Sequence, residues 1–192
     1  MYARAMALFR KVFGRFITPA RRGFLRDERG TTAIEFGILG IPFFALLGAI
    51  LETSYVFLAG QILDTAVQDA AREIRTGQAQ GAGYDIDDFR TEICGGLYGL
   101  FDCTKLLINI TPVTNFTGAS VSSPLPPASC TPTLCEWSLP AAFTPGGGGD
   151  VILVRVYYKW PTIINLGGFN LADTGANARL LGSVRVFANE PF

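Results

Sequence analysis

Sixteen acidic residues, four cysteines and no histidine set what this 192-residue chain can do chemically. Without imidazole, catalytic triads and dyads that pass a proton through histidine are excluded. The cysteines, Cys94, Cys103, Cys130 and Cys135, form no C-x-x-C pair, so neither a zinc site nor a thioredoxin-like centre is expected, and no cofactor. Asp85, Asp87 and Asp88 are the tightest carboxylate group; they lie on a polar turn or helix start and read as solvated acids. With no nucleophile or phosphate-loop motif either, the chain reads as a non-enzyme. The acid that needs explaining is Glu35. It stands five positions after Gly30 and immediately before sixteen residues, Phe36 to Leu51, that carry no charge. A carboxylate at mid-bilayer costs roughly 2.5–3.5 kcal/mol; the cost is less at the interface and is softened by the positive end of a helix dipole.

The element that must position Glu35 is a helix. Crossing the hydrocarbon takes about 20 apolar residues, and Ile34 to Leu51 supplies most of them, extended by Tyr55 to Ala59 beyond Glu52. One span fits. Past it, Tyr55, Leu58, Ile62, Leu63, Ala66, Val67, Ala70, Ala71 and Ile74 recur at helical spacing, with Gln61, Asp64, Gln68, Asp69, Arg72, Glu73 and Arg75 between them, so the helix continues as an amphipathic one. Gly77 is the expected stop, and Arg72 and Arg75 suit the dipole at that end. A helix from Thr31 to Gly77 is roughly 70 Å long, so its outer half must pack on something. Pro42 kinks it, either as a tolerated irregularity or with a role in helix packing.

Charge gives the helix a direction. The first thirty residues hold eight bases against Asp27 and Glu28, net +6, and residues 31–192 hold eight bases against fourteen acids, net −6. Basic flanks stay in the cytoplasm, so a single-pass arrangement with a cytoplasmic N-terminus and an exported C-terminal part is expected. All four cysteines lie in that exported part, where disulfides are the default. Of the three possible connectivities, short loop closure favours Cys94 with Cys103 and Cys130 with Cys135.

The exported part reads as α+β. Residues 87–100 suggest a short helix ending among Gly95, Gly96 and Gly99, while Lys105 to Thr111, Val151 to Trp160 and Leu180 to Ala188 read as strands of an antiparallel sheet. Residues 112–149, rich in Pro, Ser, Thr and Gly, read as a long loop. The expected fold is a long N-terminal transmembrane and amphipathic helix packed on a small antiparallel sheet, pilin-like and stapled by disulfides. Its boundaries are a basic leader at 1–30, a membrane part at 31–59, the amphipathic continuation at 60–78 and the exported domain at 79–192. Trp137 and Trp160 are expected as core or loop anchors. The Asn109 and Asn115 acceptor patterns are set aside as chance matches.

Several stretches together carry a resemblance: the lead-in from Arg21 to Gly30, Glu35 and Phe36 at the fifth and sixth positions after the glycine, the single apolar helix, Ala71-Arg72 followed by Thr76-Gly77, and the closing Asn189-Glu190-Pro191-Phe192. The chain resembles the TadE-like pseudopilins of the tight-adherence (Flp-type) pilus system, most specifically over residues 21–77. The resemblance implies a precursor in the bacterial inner membrane, cut on its cytoplasmic side by an aspartic prepilin peptidase between Gly30 and Thr31, with the apolar helix kept. An ordinary secretory signal loses its apolar core instead, and no convincing A-x-A site follows Leu51. The new amine at Thr31 then compensates Glu35 of its own or a neighbouring chain; otherwise Glu35 snorkels at the interface without a partner. Glu35 and Phe36 form the processing and assembly motif.

The implied partners are the prepilin peptidase, other pilin and pseudopilin subunits, the inner-membrane assembly platform and membrane lipid, with no nucleic acid; the C-terminal domain is periplasmic or enters the extracellular pilus. The leader is longer than the family pattern. Residues 1–17 form a basic amphipathic helix on an anionic membrane surface, or else the start codon lies further downstream. Two readings follow from the whole sequence: a minor pilin-like subunit in assembly or initiation of the pilus, and an uncleaved signal-anchored envelope protein that displays a disulfide-bonded binding domain.

Overall fold

The computed structural model describes residues 30–125, 136–166, 169–174 and 177–192. The leader reading at 1–29 and the Cys130–Cys135 pairing lie outside the described residues. The chain divides into two compact units, Met1–Leu46 and Leu47–Phe192. The first is described only from Gly30 onward, where it is the beginning of helix α1, Thr31–Arg75. The helix continues through Pro42 without a break in its assignment, as the amide that proline lacks is a loss of one hydrogen bond rather than of the element.

The second unit holds the outer half of α1 and everything after it. Its buried stripe on α1 is Glu52, Val56, Ala59, Leu63, Ala66, Val67, Ala70, Ala71 and Ile74, steps of three and four residues that draw a single line along the helix. Four of these are alanines, and their small side chains let the helix lie close to its neighbours. Helix α1 ends where Gly77 takes φ +79°, the left-handed conformation that ordinary residues avoid. A five-residue helix α2, Gln78–Ala82, follows with Ala79 buried. Its sequence is weak helix by propensity; tertiary contacts hold it, since the Gln80 Nε2 donates to the carbonyls of Ile74, Pro145 and Gly146 at 3.1, 3.1 and 3.3 Å.

Helix α3, Ile86–Gly95, starts at a reciprocal cap. The Asp85 carboxylate accepts from the amides of Asp87 and Asp88 at 2.8 and 2.9 Å, and Asp88 accepts from the Asp85 amide at 3.0 Å. Those amides, Asp88 first, hold the Asp85 carboxyl below the usual aspartate range. The acids that might have formed a catalytic pair are thus spent on starting a helix. A disulfide joins Cys94, near the end of α3, to Cys103, in the turn before the first strand.

Four strands, β1 Leu107–Val113, β2 Ala142–Phe143, β3 Val151–Pro161 and β6 Ala178–Ala188, form one sheet in the order β2-β1-β3-β6. The three long strands pair antiparallel, with Ile110 opposite Val154 and Val154 opposite Arg185; the two residues of β2 add a parallel pair, Asn109 with Ala142, so the sheet is mixed. A separate hairpin joins β4 Asn165–Leu166 and β5 Phe169–Asn170. Alternation along β3 sends Ile152, Val154, Val156, Tyr158 and Trp160 into one core with Leu63, Val67 and Ile74 of α1 and Phe89 and Ile93 of α3. The opposite face is covered too: Leu107, Asn109, Leu153 and Tyr157 are buried there, Asn109 donating to the Pro140 carbonyl at 2.8 Å and Lys159 lying 4.0 Å over the Trp137 ring. Burial of Asn109 removes it as a glycan acceptor, and the Asn115 side chain caps a short turn by accepting from the Gly118 amide at 2.7 Å.

Candidate functional site

The sequence singled out a junction, Gly30-Thr31, and an acid, Glu35. In the first unit Gly30 is exposed, and a methyl group added there meets no atom within 4 Å. Glu35 and Phe36 are also exposed. No cation among the described residues lies within ion-pair distance of Glu35, and Ile34, Ile38, Leu39 and Ile41 around it are all turned outward. The most apolar eighteen-residue stretch of the helix has none of its residues buried. Water cannot be the intended solvent for such a surface. By length and composition this helix is able to cross a membrane, and it is a continuous apolar face for lipid or for other helices.

The second unit fixes how the outer helix lies on its sheet through two carboxylates. Glu52 is only 8% exposed. Its Oε1 accepts from the amides of Ile163 and Ile164 at 2.5 and 3.1 Å, and Oε2 from Ile164 at 3.2 Å. From sequence alone Glu52 reads as an interruption in the apolar run; its role depends on the turn after β3, more than a hundred residues away. Immediately after the buried Leu63, Asp64 faces β6: its Oδ1 accepts from the Ser183 hydroxyl at 2.7 Å and its Oδ2 pairs with Arg185 Nη2 at 2.6 Å.

At the helix exit, the motifs Thr76-Gly77 and Asn189-Glu190-Pro191-Phe192 meet. The Glu190 amide donates to the Arg75 carbonyl at 2.9 Å, the side chains of Arg75 and Glu190 approach to 3.5 Å, and Asn189 Nδ2 donates to the carbonyls of Pro145 and Gly147 at 2.9 and 3.0 Å. Gly77 leaves room for the Phe192 ring. At the disulfide end, Gly96 comes so close to Ala66 that an added methyl would stand 2.9 Å from its Cβ. Trp160 anchors this end of the sheet, away from the helix exit, among Tyr55, Phe101 and Tyr158, with ring centroids 5.2, 5.0 and 6.1 Å away.

The Asp64 contact has a pH signature. Burial pushes its carboxyl up, but the hydrogen bond from Ser183, and the hydrogen bond and charge of Arg185, outweigh burial and leave the pKa below the usual aspartate value. Thr104 first, then Lys105, hold Asp102 down to about 2. A carboxyl whose folded pKa is depressed adds stability above the unfolded value and loses it as pH falls through the folded one. Denaturation midpoints of the full chain in detergent should therefore be flat near neutral pH and fall below about pH 4, the unfolded aspartate range. Asp64→Asn should shrink that acid-side fall; an unchanged profile would remove Asp64 from the account.

Residues 30–72 match a family model described as TadE-like protein. Over that stretch the chain is similar to TadE-like proteins. The match covers the Gly30 junction, Glu35, the exposed apolar run and most of the packed outer half of α1. That family suggests involvement in the tight-adherence (Flp-type) pilus system, implies other pilus subunits as partners, and is not a family of enzymes. No curated protein and no solved structure matches the chain. The TadE-like segment is therefore joined to a sheet domain whose properties rest on its own geometry. Among the described residues no three His, Cys, Asp or Glu side chains are grouped as metal ligands would be.

Proposed function

We propose that the chain is a minor pilin-like subunit, a pseudopilin, that helps assemble or initiate a tight-adherence pilus, and that a prepilin peptidase cuts it between Gly30 and Thr31. The observation that carries this reading is the exposed Gly30 set directly before a helix whose most apolar eighteen-residue stretch has no buried residue, in the TadE-like stretch. A residue without a side chain lets the backbone lie extended in a protease cleft, and the exposed helix is the part an assembly must receive. The chain sits in the inner membrane with its basic leader in the cytoplasm and its sheet domain in the periplasm. Once cut, the Thr31 amine neutralises Glu35 of its own or an adjacent chain, and Phe36 and its neighbours pack among the helices of other pilin and pseudopilin subunits, with the assembly platform and lipid as the remaining surroundings.

The N-terminal residue of protein recovered from membranes tests this. Chains beginning at Thr31 are expected, and Gly30→Leu should leave the precursor uncut while the sheet domain stays folded, because a side chain at position 30 meets no neighbour. Full-length chains in cells with an active peptidase would overturn the proposal and return the chain to an uncleaved anchor displaying a disulfide-bonded domain.

A further inference from the structure

The turn after β3, Thr162–Ile164, is held against α1 at a defined height. Glu52 binds its amides, and a methyl added at Gly48 would lie 3.0 Å from the Ile164 Cδ1. The uncharged run of α1 ends at Leu51. About 20 residues span the hydrocarbon, so if Thr31 lies at one boundary, Glu52 falls at the other. A carboxylate there would normally reach for water; this one turns inward and fixes a turn instead. Ile163, at the tip of that turn, is 86% exposed. A lone exposed isoleucine means little, but this one has company: Ile50 and Leu51 are exposed on the helix beside Glu52, and the sequence carries no acid or base between Lys159 and Asp173. The same end of the sheet bears the Tyr55–Trp160 pair, and Tyr and Trp favour the membrane–water boundary.

We propose that the Thr162–Ile164 turn is a membrane-contact surface, seated in the headgroup–acyl boundary of the bilayer that α1 spans and positioned there by Glu52. The occupant of the exposed apolar tip is lipid, because the tip continues the apolar surface of the helix and lies where that surface leaves the hydrocarbon. The inference rests on α1 spanning the membrane, and it does not depend on cleavage at Gly30. Seating the turn in lipid gives the sheet domain a second attachment beside the helix, restricting its tilt until assembly extracts both together.

The test uses the full chain reconstituted into phosphatidylethanolamine–phosphatidylglycerol vesicles. A trifluoromethylphenylalanine replaces Ile163, Phe44 or Phe116 in turn, and fluorine relaxation is measured with lipids spin-labelled near the headgroup or along the chain. Phe44 reports the helix, and Phe116 reports the far end of the sheet, past β1. Enhancement at position 163 severalfold above that at position 116, with position 44 responding to the deeper label, is the expected result. A response at 44 but none above the position-116 level at 163 overturns the inference while the span stands, leaving another subunit as the occupant; no response at 44 overturns the span itself. Glu52→Ala should reduce the enhancement at 163 and spare that at 44, and an unchanged value at 163 would overturn the positioning role of Glu52.

Discussion

Leu63→Ala lowers the unfolding free energy of the exported domain by about 2–5 kcal/mol, whereas Leu58→Ala, one and a half turns earlier on the same helix, changes it by less than about 0.5 kcal/mol. Leu63 has no exposed surface and lies in the core with Val67, Ile74 and the apolar face of β3, while Leu58 is 52% exposed. Truncating Leu63 loses the transfer free energy of its methyl groups and leaves a cavity that a helix pressed close to a sheet cannot collapse into. Truncating Leu58 removes surface that faces away from the sheet. Denaturant titration of the detergent-solubilised chain, followed by near-ultraviolet signal from the buried Trp160 cluster, measures both. Equal costs for the two variants would mean that α1 does not present the 56–63–67–74 stripe to the sheet.

Gly77→Ala should cost about 2–3 kcal/mol, from two separable sources. The residue sits at φ +79°, where a β-carbon costs roughly 1–2 kcal/mol. That same carbon would lie 2.5 Å from the Phe192 ring, which is 59% exposed and can swing aside, so the clash adds only the ring's lost contact with the helix exit, about 1 kcal/mol. In a Phe192→Ala background the second part should vanish, because the ring is gone, and only the backbone strain should remain. Gly83→Ala supplies a matched comparison: its φ is +72° but nothing lies within 4 Å of an added methyl. A Gly77→Ala cost no larger than that at Gly83 would mean that the C-terminal segment does not rest on the helix exit.

How far the sequence carries can be seen residue by residue. Leu63, Ala66, Val67, Ala70, Ala71 and Ile74 are legible as a packed stripe because a helix repeats every 3.6 residues, whereas Tyr55 and Leu58, read from spacing into the same apolar set, are exposed. Gly77 is legible as a stop from its residue type. Val151 to Trp160 is legible as a strand from its β-branched and aromatic residues, and the observed strand runs one residue further, to Pro161. Glu52 is not legible: its neighbours in sequence make it part of an apolar span, and the amides that bury it come from Ile163 and Ile164. Asp64 reads as one more solvated acid on a polar face until Ser183 and Arg185 are brought to it. Helix α2 and strand β2 are too short for any periodicity, and both exist through contacts made elsewhere, at Gln80 and Asn109.

The sequence by itself determined the long apolar helix, the basic flank before it, the glycine and the acid at its start, and which face of its outer half is apolar. These follow from local physics: hydropathy, charge and helical period act on residues near one another in the chain. The tertiary structure alone decided which surface that face meets, that the closing Asn189-Glu190-Pro191-Phe192 segment rests on Gly77, and that Glu52 reaches a distant turn instead of water. Those outcomes require segments far apart in the chain to arrive at one place. Local pattern makes each segment ready to be buried without naming its partner, and only the packed core, by bringing β3 and β6 against α1, supplies the partner.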